Sequence, residues 1–345
     1  MLRGLVSQLV DEIVANLIAA LFFRPRGRMP PANGPSPEEC PQLYSGDLTA
    51  FFSPVPQSVD IFARQKLLGE TASQTVWDVE FPSETNTAWP DNDRVRCRRW
   101  QPRGSDTGLT VVGTQGIVQV GHDWFISLAE RLNLRGIDLV MYETPFNYRR
   151  TPTGYRAGQL IVGGDMAHQF AVTRQGVLDL WRLVISLQNE GRRVGLLGVS
   201  YGGWLSLLTA LLADRLEFVM AVVPPVDIVR ALQNGGTMQR AIRRGLGALS
   251  VDLAELERLA RPVIPGHWTP RLPASAITLH GARYDRFVSC AHIEKLAHQW
   301  NARLVVHPDG HARPAISHAL IPQLANDIVA NLRHSCEGVN PEDCG

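Results

Sequence analysis

The sequence has few cysteines, almost no net charge and no long apolar run free of charged residues. Its 345 residues include five cysteines and no Cys-x-x-Cys pair, which argues against a zinc site or a disulfide scaffold. The 34 Lys and Arg residues nearly balance the 33 Asp and Glu residues, leaving a net charge of +1. No overall field therefore favours nucleic acid or an anionic membrane. A small, roughly neutral substrate and a reducing, cytoplasmic compartment fit this composition better.

Residues 1–24 are apolar, but charged residues interrupt them. Leucine, isoleucine and valine recur at helical spacing between Leu2 and Leu21, while Asp11 and Glu12 would lie in the middle of a bilayer. The segment is therefore predicted as an amphipathic helix rather than a membrane span or a cleaved signal peptide. We expect this helix to dock on the body of the protein or on a partner. Peripheral membrane contact or self-association through the same residues stays open.

Three composition shifts divide the rest of the chain. Residues 25–75 are rich in Pro, Gly and Ser and lack periodicity, so they are predicted to form an irregular linker without a core. Residues 76–335 carry the regular patterns of one folded domain, and residues 336–345 are predicted to be a tail.

Within the domain, the pattern begins as an antiparallel hairpin and then alternates between strands and helices. The hairpin is predicted at Val76–Phe81 and Val95–Trp100. The later predicted strands are Leu109–Val112, Ile137–Tyr142, Val194–Val199, Phe218–Val223, Ala276–His280 and Arg303–Val306. Strands joined by helices imply an α/β fold with a mostly parallel, doubly wound sheet. Residues 224–273 show only helical patterns and prolines, which predicts an insertion capping a pocket.

One short motif follows the apolar strand that ends at Val199. The sequence Gly198-Val199-Ser200-Tyr201-Gly202 has the form G-x-S-x-G and leads directly into a helical pattern. This motif needs its glycines because the serine is held on a tight strand-to-helix turn, where larger side chains would collide with neighbouring backbone. The context predicts Ser200 as a nucleophile at such an elbow. The alternative is a glycine-rich turn with a spectator serine.

A serine nucleophile needs a histidine base and a carboxylate that orients the histidine. In this arrangement the acid follows the serine in the chain and the histidine follows the acid. Asp285 and His311 each lie in a loop after a predicted strand, and they are the candidate acid and base. Asp227 and His307 remain as alternatives. His280, inside an apolar strand, is predicted to be a hydrogen-bonded core residue.

A tetrahedral intermediate also needs two backbone N–H donors for its oxyanion. One is predicted to be Tyr201, the residue after the nucleophile. The other is expected in the loop after the first parallel strand, at Ile117 or else at Gly116. Several aromatic side chains could form the walls of an apolar pocket or belong to the plain core. These are Trp204, Tyr201, Phe146 and Trp268.

The motifs together resemble the α/β-hydrolase superfamily over residues 109–333. Gln115-Gly116-Ile117 resembles the His-Gly-x loop of that superfamily, with Gln115 in place of the usual histidine. Because the donor is a backbone group, this departure leaves an oxyanion hole feasible. The stretch from Glu143 to Arg150 resembles a less studied branch that has been linked to lipid deacylation. Its Arg149 and Arg150 could bind a carboxylate or phosphate, although two solvated arginines are the commoner state.

The residues and the resemblance lead to one functional hypothesis. They imply a carboxylesterase or lipase-like serine hydrolase that forms an acyl-enzyme on Ser200 and needs no cofactor or metal. The expected substrate is a small ester with an acyl group that could be lipid-like. A peptidase or a thioesterase would use the same triad, and a hydrolase-fold protein that binds a ligand without turnover also stays open.

Overall fold

A nine-stranded sheet forms the centre of the molecule. The structure is a computed structural model that describes residues 2–22, 34–117, 121–162, 165–233, 240 and 253–337. The strands are β1 (Gln65–Glu70), β2 (Gln74–Pro82), β3 (Arg94–Pro102), β4 (Leu109–Thr114), β5 (Asp138–Tyr142), β6 (Arg193–Val199), β7 (Leu216–Val222), β8 (Ile277–Ala282) and β9 (Arg303–His307). Their spatial order is β1-β2-β3-β5-β4-β6-β7-β8-β9.

The two ends of this sheet differ in strand direction. The pairs β1 with β2, β2 with β3 and β3 with β5 are antiparallel, whereas all pairs among β4 to β9 are parallel. All residues of β4, β5 and β8 are buried, as expected for parallel strands covered by helices on both faces. The predicted mostly parallel, doubly wound sheet is confirmed.

Helices cover both faces of the sheet. They are α1 (Leu2–Phe22), α2 (Leu48–Phe51), α3 (Asp123–Asn133), α4 (Gln159–Val162), α5 (Met166–Asn189), α6 (Tyr201–Ala210), α7 (Ile228–Gln233), α8 (Leu253–Ala260), α9 (Cys290–Trp300), α10 (Ala312–Ile316) and α11 (Ile321–Glu337). Neighbouring residues of one strand point to opposite faces, so Val111 packs with α3 and α11 while Val112 packs with α5 and α6. No described helix is long and apolar enough to cross a bilayer.

The prediction of a linker over residues 25–75 is wrong for its described part, which begins at residue 34. Strand β1 extends the sheet there, and Leu43, Phe51, Phe52 and Ile61 are buried in the main core. The Phe51 ring packs edge-on against Phe170 of α5, with 6.1 Å between centroids. A few isolated apolar residues can be buried without any periodic pattern, so a Pro-rich composition does not exclude core positions.

The predicted insertion at residues 224–273 contains α7, α8 and short 3-10 turns among its described residues, without a strand. Residues 234–239 and 241–252 lie outside the described residues, as do 338–345 of the predicted tail. A cleft of about 220 Å³ lies between the insertion and α9, and Asp227, His267 and His292 belong to its lining. The capping role of the insertion stays a prediction.

Arg150 is not solvated and Arg149 is only partly exposed, contrary to the expectation from their loop position. The Arg150 side chain is completely buried and donates to Asp179 Oδ2 at 2.8 Å. Arg149 donates to Asp78 Oδ1 at 2.6 Å and to Glu143 Oε1 at 2.8 Å. Carboxylates that lie far away in the sequence, such as Asp78 and Asp179, already engage both guanidinium groups. The two arginines therefore brace the loop that follows β5.

Candidate active site

Ser200 lies at a sharp turn between β6 and α6. Its backbone angles are φ 53° and ψ −119°, a region that residues with a side chain rarely adopt. The Ser200 N–H donates to the Val222 carbonyl at 2.7 Å, and the Ser200 carbonyl accepts from the Trp204 N–H at 3.1 Å. These bonds hold the serine in its strained conformation beside the ends of β6 and β7.

Two glycines of the motif are required by close backbone contacts. A Cβ on Gly198 would lie 2.4 Å from the Gly202 carbonyl oxygen, and a Cβ on Gly202 would lie 2.5 Å from the Thr114 carbonyl oxygen. The Thr114 hydroxyl also donates to the Gly202 carbonyl at 2.8 Å. The start of α6 therefore packs directly on the end of β4, which places the serine at the carboxyl edge of the sheet.

A hydrogen-bonded relay joins Ser200, His311 and Asp285. Ser200 Oγ lies 2.9 Å from His311 Nε2, and His311 Nδ1 lies 2.7 Å from Asp285 Oδ2. The other carboxylate oxygen of Asp285 accepts from the N–H groups of Phe287 and Val288, each at 2.8 Å. With the proton on Nδ1, His311 donates to Asp285 and leaves Nε2 free to accept from the serine hydroxyl.

The environment of His311 adjusts its basicity. Burial alone would lower the pKa of this imidazole, but the charge and hydrogen bond of Asp285, with the charge of Asp11, raise it above its ordinary value. These carboxylates stabilise the imidazolium that forms when His311 accepts a proton. The histidine is thus suited to accept a proton from Ser200.

The alternative acid and base lie elsewhere. Asp227 accepts from the Arg230 N–H at 3.0 Å and faces the cleft beside α9. His307 Nε2 lies 3.0 Å from Nδ1 of His280, and the two rings stack with 5.3 Å between centroids. Burial lowers the pKa of His280 to about 3. The structure therefore brings Asp285 and His311 to Ser200, and it places Asp227 and His307 in other contacts.

The loop after β4 approaches Ser200 closely. A Cβ on Gly116 would lie 3.3 Å from Ser200 Cβ and 3.9 Å from its hydroxyl oxygen. Asn147 Nδ2 donates to the Ile117 carbonyl at 3.3 Å. The buried Gln115 amide fits with its nitrogen donating to the Tyr142 carbonyl at 2.6 Å. The loop is therefore fastened on both sides of Gly116, while the oxyanion role of Tyr201, Gly116 and Ile117 stays a prediction.

The aromatic residues predicted as pocket walls have separate partners. Trp204 is buried and donates to the Val263 carbonyl at 2.8 Å, and the buried Tyr201 ring packs on it with 5.8 Å between centroids. Phe146 is buried against Trp89, with 5.2 Å between ring centroids. Trp268 donates to the Arg261 carbonyl at 3.0 Å. Their contacts are those of core and surface packing, so the pocket role stays a prediction.

Helix α1 contributes a site residue that the sequence analysis did not identify. Asp11 is fully buried, and its carboxylate accepts from the N–H groups of His311 at 2.8 Å, Ala312 at 3.0 Å and Arg286 at 3.1 Å. Burial raises the pKa of Asp11, and the three N–H groups act in the opposite direction. A carboxylate within an otherwise apolar helical stretch was the signal in the sequence.

The same helix forms an apolar margin beside the relay. Val14 and Ile18 of α1 pack with Val162, Ile117 and Phe287. The Phe287 ring lies against His311, with 4.9 Å between centroids. The opposite face of the helix exposes Leu5, Val6, Leu9, Val10, Ile13 and Leu17. Membrane contact or self-association through residues 1–24 stays a prediction.

Metal ligands are not clustered in the described part of the chain. Among these residues, no group of three or more His, Cys, Asp or Glu side chains could hold a metal ion. The chemistry that the site offers is that of the serine, the imidazole and the carboxylate, and the expected independence from cofactors stays a prediction.

Sequence comparison links the chain to proteins of undescribed function. No family model matches it. Two curated proteins of Mycobacterium tuberculosis, from strains CDC 1551 and H37Rv, are each 29% identical over 181 residues and are described only as uncharacterized. The match covers 51% of this chain and 42% of each relative, so the chain spans less than half the length of the curated relatives it matches.

Structural comparison is more informative. Acetyl xylan esterase 1 of Thermoanaerobacterium has a TM-score of 0.60 at 17% identity, covering 88% of this chain and 99% of the esterase. An acetyl xylan esterase of Paenibacillus has a TM-score of 0.54 at 14% identity, covering 76% and 87%. An esterase of Pyrococcus furiosus has a TM-score of 0.51 at 16% identity, covering 81% and 97%. Together with the sheet order, these likenesses show that the chain has the α/β-hydrolase fold.

Proposed function

We propose that the protein is a serine hydrolase that cleaves a carboxylic ester through an acyl-enzyme on Ser200. The observation that carries the proposal is the relay from Ser200 Oγ through His311 to Asp285, with links of 2.9 and 2.7 Å. Ser200 lies at a strained turn. Strained backbone conformations cost free energy and are concentrated at functional sites. A spectator serine would need neither the strain nor the relay.

In the first half of the reaction, His311 Nε2 takes the proton of the Ser200 hydroxyl as the oxygen attacks the ester carbonyl. Asp285 keeps the imidazole in the required tautomer and stabilises the imidazolium. The resulting oxyanion accepts hydrogen bonds from the Tyr201 N–H and from the Gly116–Ile117 loop. His311 then gives its proton to the leaving alkoxide oxygen, and the alcohol departs.

In the second half, water replaces the alcohol. His311 takes a proton from the water as its oxygen attacks the acyl-enzyme, and the imidazolium then returns that proton to Ser200 Oγ when the acid is released. Every proton transfer uses the same nitrogen of the histidine. Apart from the ester and one water molecule, these steps use only groups of the chain.

The surroundings of the relay support an apolar acyl group. The Phe287 ring lies against the His311 ring, with 4.9 Å between centroids. Phe287 and Ile117 both pack against Ile18 and Val162. An acyl chain bound against such side chains is stabilised by about 0.8 kcal/mol for each buried CH₂ group. Esters with an apolar, lipid-like acyl group are therefore the proposed substrate class.

Labelling with a fluorophosphonate probe, beside turnover of p-nitrophenyl esters of increasing acyl length, tests the proposal. We expect wild type to label and turn over esters, and Ser200→Ala to lose labelling and about a millionfold in kcat. Ser289→Ala is the matched control, because Ser289 precedes α9 without a side-chain cap bond and should behave as wild type.

Other outcomes point to the alternatives. Labelling with faster turnover of thioester or amide substrates would indicate a thioesterase or a peptidase with the same triad. A well-folded wild type that does not label would contradict the proposal and favour a binding protein on this fold.

A further inference from the structure

We propose that Asp11 is a positioning residue that ties the acid loop and the histidine loop together, an inference that rests on the proposed function. The Asp11 carboxylate reaches both loops from helix α1. It accepts from the N–H of Arg286, the residue after the acid, and from the N–H of His311, the base itself. One side chain thus connects the loop of Asp285 with the loop of His311, whose relative position the relay requires.

The contact is specific to a carboxylate. Asp11 receives three backbone N–H bonds, at 2.8, 3.0 and 3.1 Å, and offers only acceptor atoms. Removing the acceptor would leave buried N–H groups without a partner, which costs free energy. An amide of the same size would turn an N–H₂ group toward one of these donors. Asparagine is therefore a poor substitute despite its equal shape.

The loop leaves no room for a different arrangement. A Cβ on Gly310 would lie 2.7 Å from Asp11 Oδ2, so the backbone before His311 packs directly on the carboxylate. A longer or displaced acidic side chain would push the histidine loop away. A substitution at Gly310 or at Asp11 should therefore disturb the same contact.

Two ion pairs flank Asp11, one on each loop. Arg3 pairs with Asp309 at 3.1 Å, and Glu12 pairs with Arg286 at 3.5 Å. These two pairs are partly exposed, so each is worth less than about 1 kcal/mol. Neither pair includes Ser200, His311 or Asp285, whereas the buried Asp11 binds the backbone of His311 itself.

A displacement of a catalytic group by about 1 Å can cost on the order of a hundredfold in rate. Asp11 does not touch the reacting atoms, so its loss should act through the position of His311 and leave substrate binding nearly unchanged. This separates a positioning role from a general loss of stability, which would lower the amount of active enzyme without moving the imidazole.

The test compares Asp11→Asn with Glu12→Gln in the full chain. We expect Asp11→Asn to lower kcat by about ten- to a hundredfold with KM changed by less than about twofold. Glu12→Gln, on the neighbouring position of the same helix, should keep wild-type kcat. Thermal unfolding of each variant confirms that the assays use folded protein.

A second readout follows the relay without catalysis. The low-field proton resonance of His311 Nδ1–H, assigned by its loss in Asp285→Asn, should shift or broaden in Asp11→Asn and in Gly310→Ala and stay unchanged in Glu12→Gln. If Asp11→Asn does not fold, Gly310→Ala decides. Wild-type kcat and an unmoved resonance in a folded variant would overturn the inference. Absent ester turnover in wild type would contradict the proposed function alone, because the resonance still reports on the positioning.

Discussion

The two halves of the candidate site are held in different ways. The turn at Ser200 is fixed by its own motif, since Gly198 and Gly202 pack backbone on backbone against each other and against β4. The acid and histidine loops are joined by Asp11, which lies 300 residues before His311. A contiguous motif can be recognised in one sequence, whereas a lone carboxylate does not reveal which distant loops it will contact. Local contacts therefore position Ser200, whereas a contact between distant parts of the chain positions Asp285 and His311.

Among variants that keep Ser200, the largest effect is expected in the half of the site that holds the acid and the histidine. Asp285→Asn should lower kcat by about ten-thousandfold, because asparagine leaves the imidazole misoriented and its cation unsupported. Asp227→Asn is the control, since Asp227 pairs with Arg230 away from the relay. Steady-state kinetics on both variants measure the difference. A severe loss in Asp227→Asn with near-normal Asp285→Asn would reverse the assignment of the acid.

Gly202→Ala should disturb the other half of the site, the turn that holds Ser200. A Cβ there meets the Thr114 carbonyl oxygen at 2.5 Å, and such overpacking against backbone destabilises by about 1–3 kcal/mol. A displaced serine should also react with the fluorophosphonate about a hundredfold more slowly. Gly104→Ala meets nothing within 4 Å and should match wild type in labelling rate and in Tm. Equal labelling of Gly202→Ala would mean that the turn tolerates movement.

The pH profile probes the charges that surround the base. Asp285 and Asp11 raise the pKa of His311, and the base must be neutral to accept a proton. We therefore expect kcat/KM to fall as the pH drops. The midpoint of this fall should lie above the ordinary histidine pKa of about 6.5. Neutral p-nitrophenyl esters keep substrate ionisation out of the profile. An acid limb below that pH would show that burial outweighs the two carboxylates.

Much of the fold could be predicted from the sequence because its signals are periodic. The alternation from Leu109 onward predicted the parallel sheet, and the observed strands β4 to β9 follow it. Helix α9 was not identified, although its buried residues Ile293, Leu296 and Trp300 have helical spacing. The core residues between positions 34 and 75 carry no period, so only tertiary packing shows that they are buried.

The site could be predicted where one stretch of sequence carries the constraint. Ser200 follows from its motif, and the structure brings Asp285 and His311 to it, as chain order had suggested. The prediction that Arg150 is solvated is wrong because its partner Asp179 lies 29 residues away on α5. Composition gives the usual environment of an arginine, while pairing across the fold decides the actual one.

The docking of α1 also sets an order of events during synthesis. The ribosome makes Asp11 first, and its partners His311 and Ala312 follow 300 and 301 residues later. Contacts of such long sequence separation can form only after the intervening chain is made. The growing chain therefore carries Ser200 for more than a hundred residues before a base reaches it. The proposed hydrolytic activity would be withheld until residue 311 has been made.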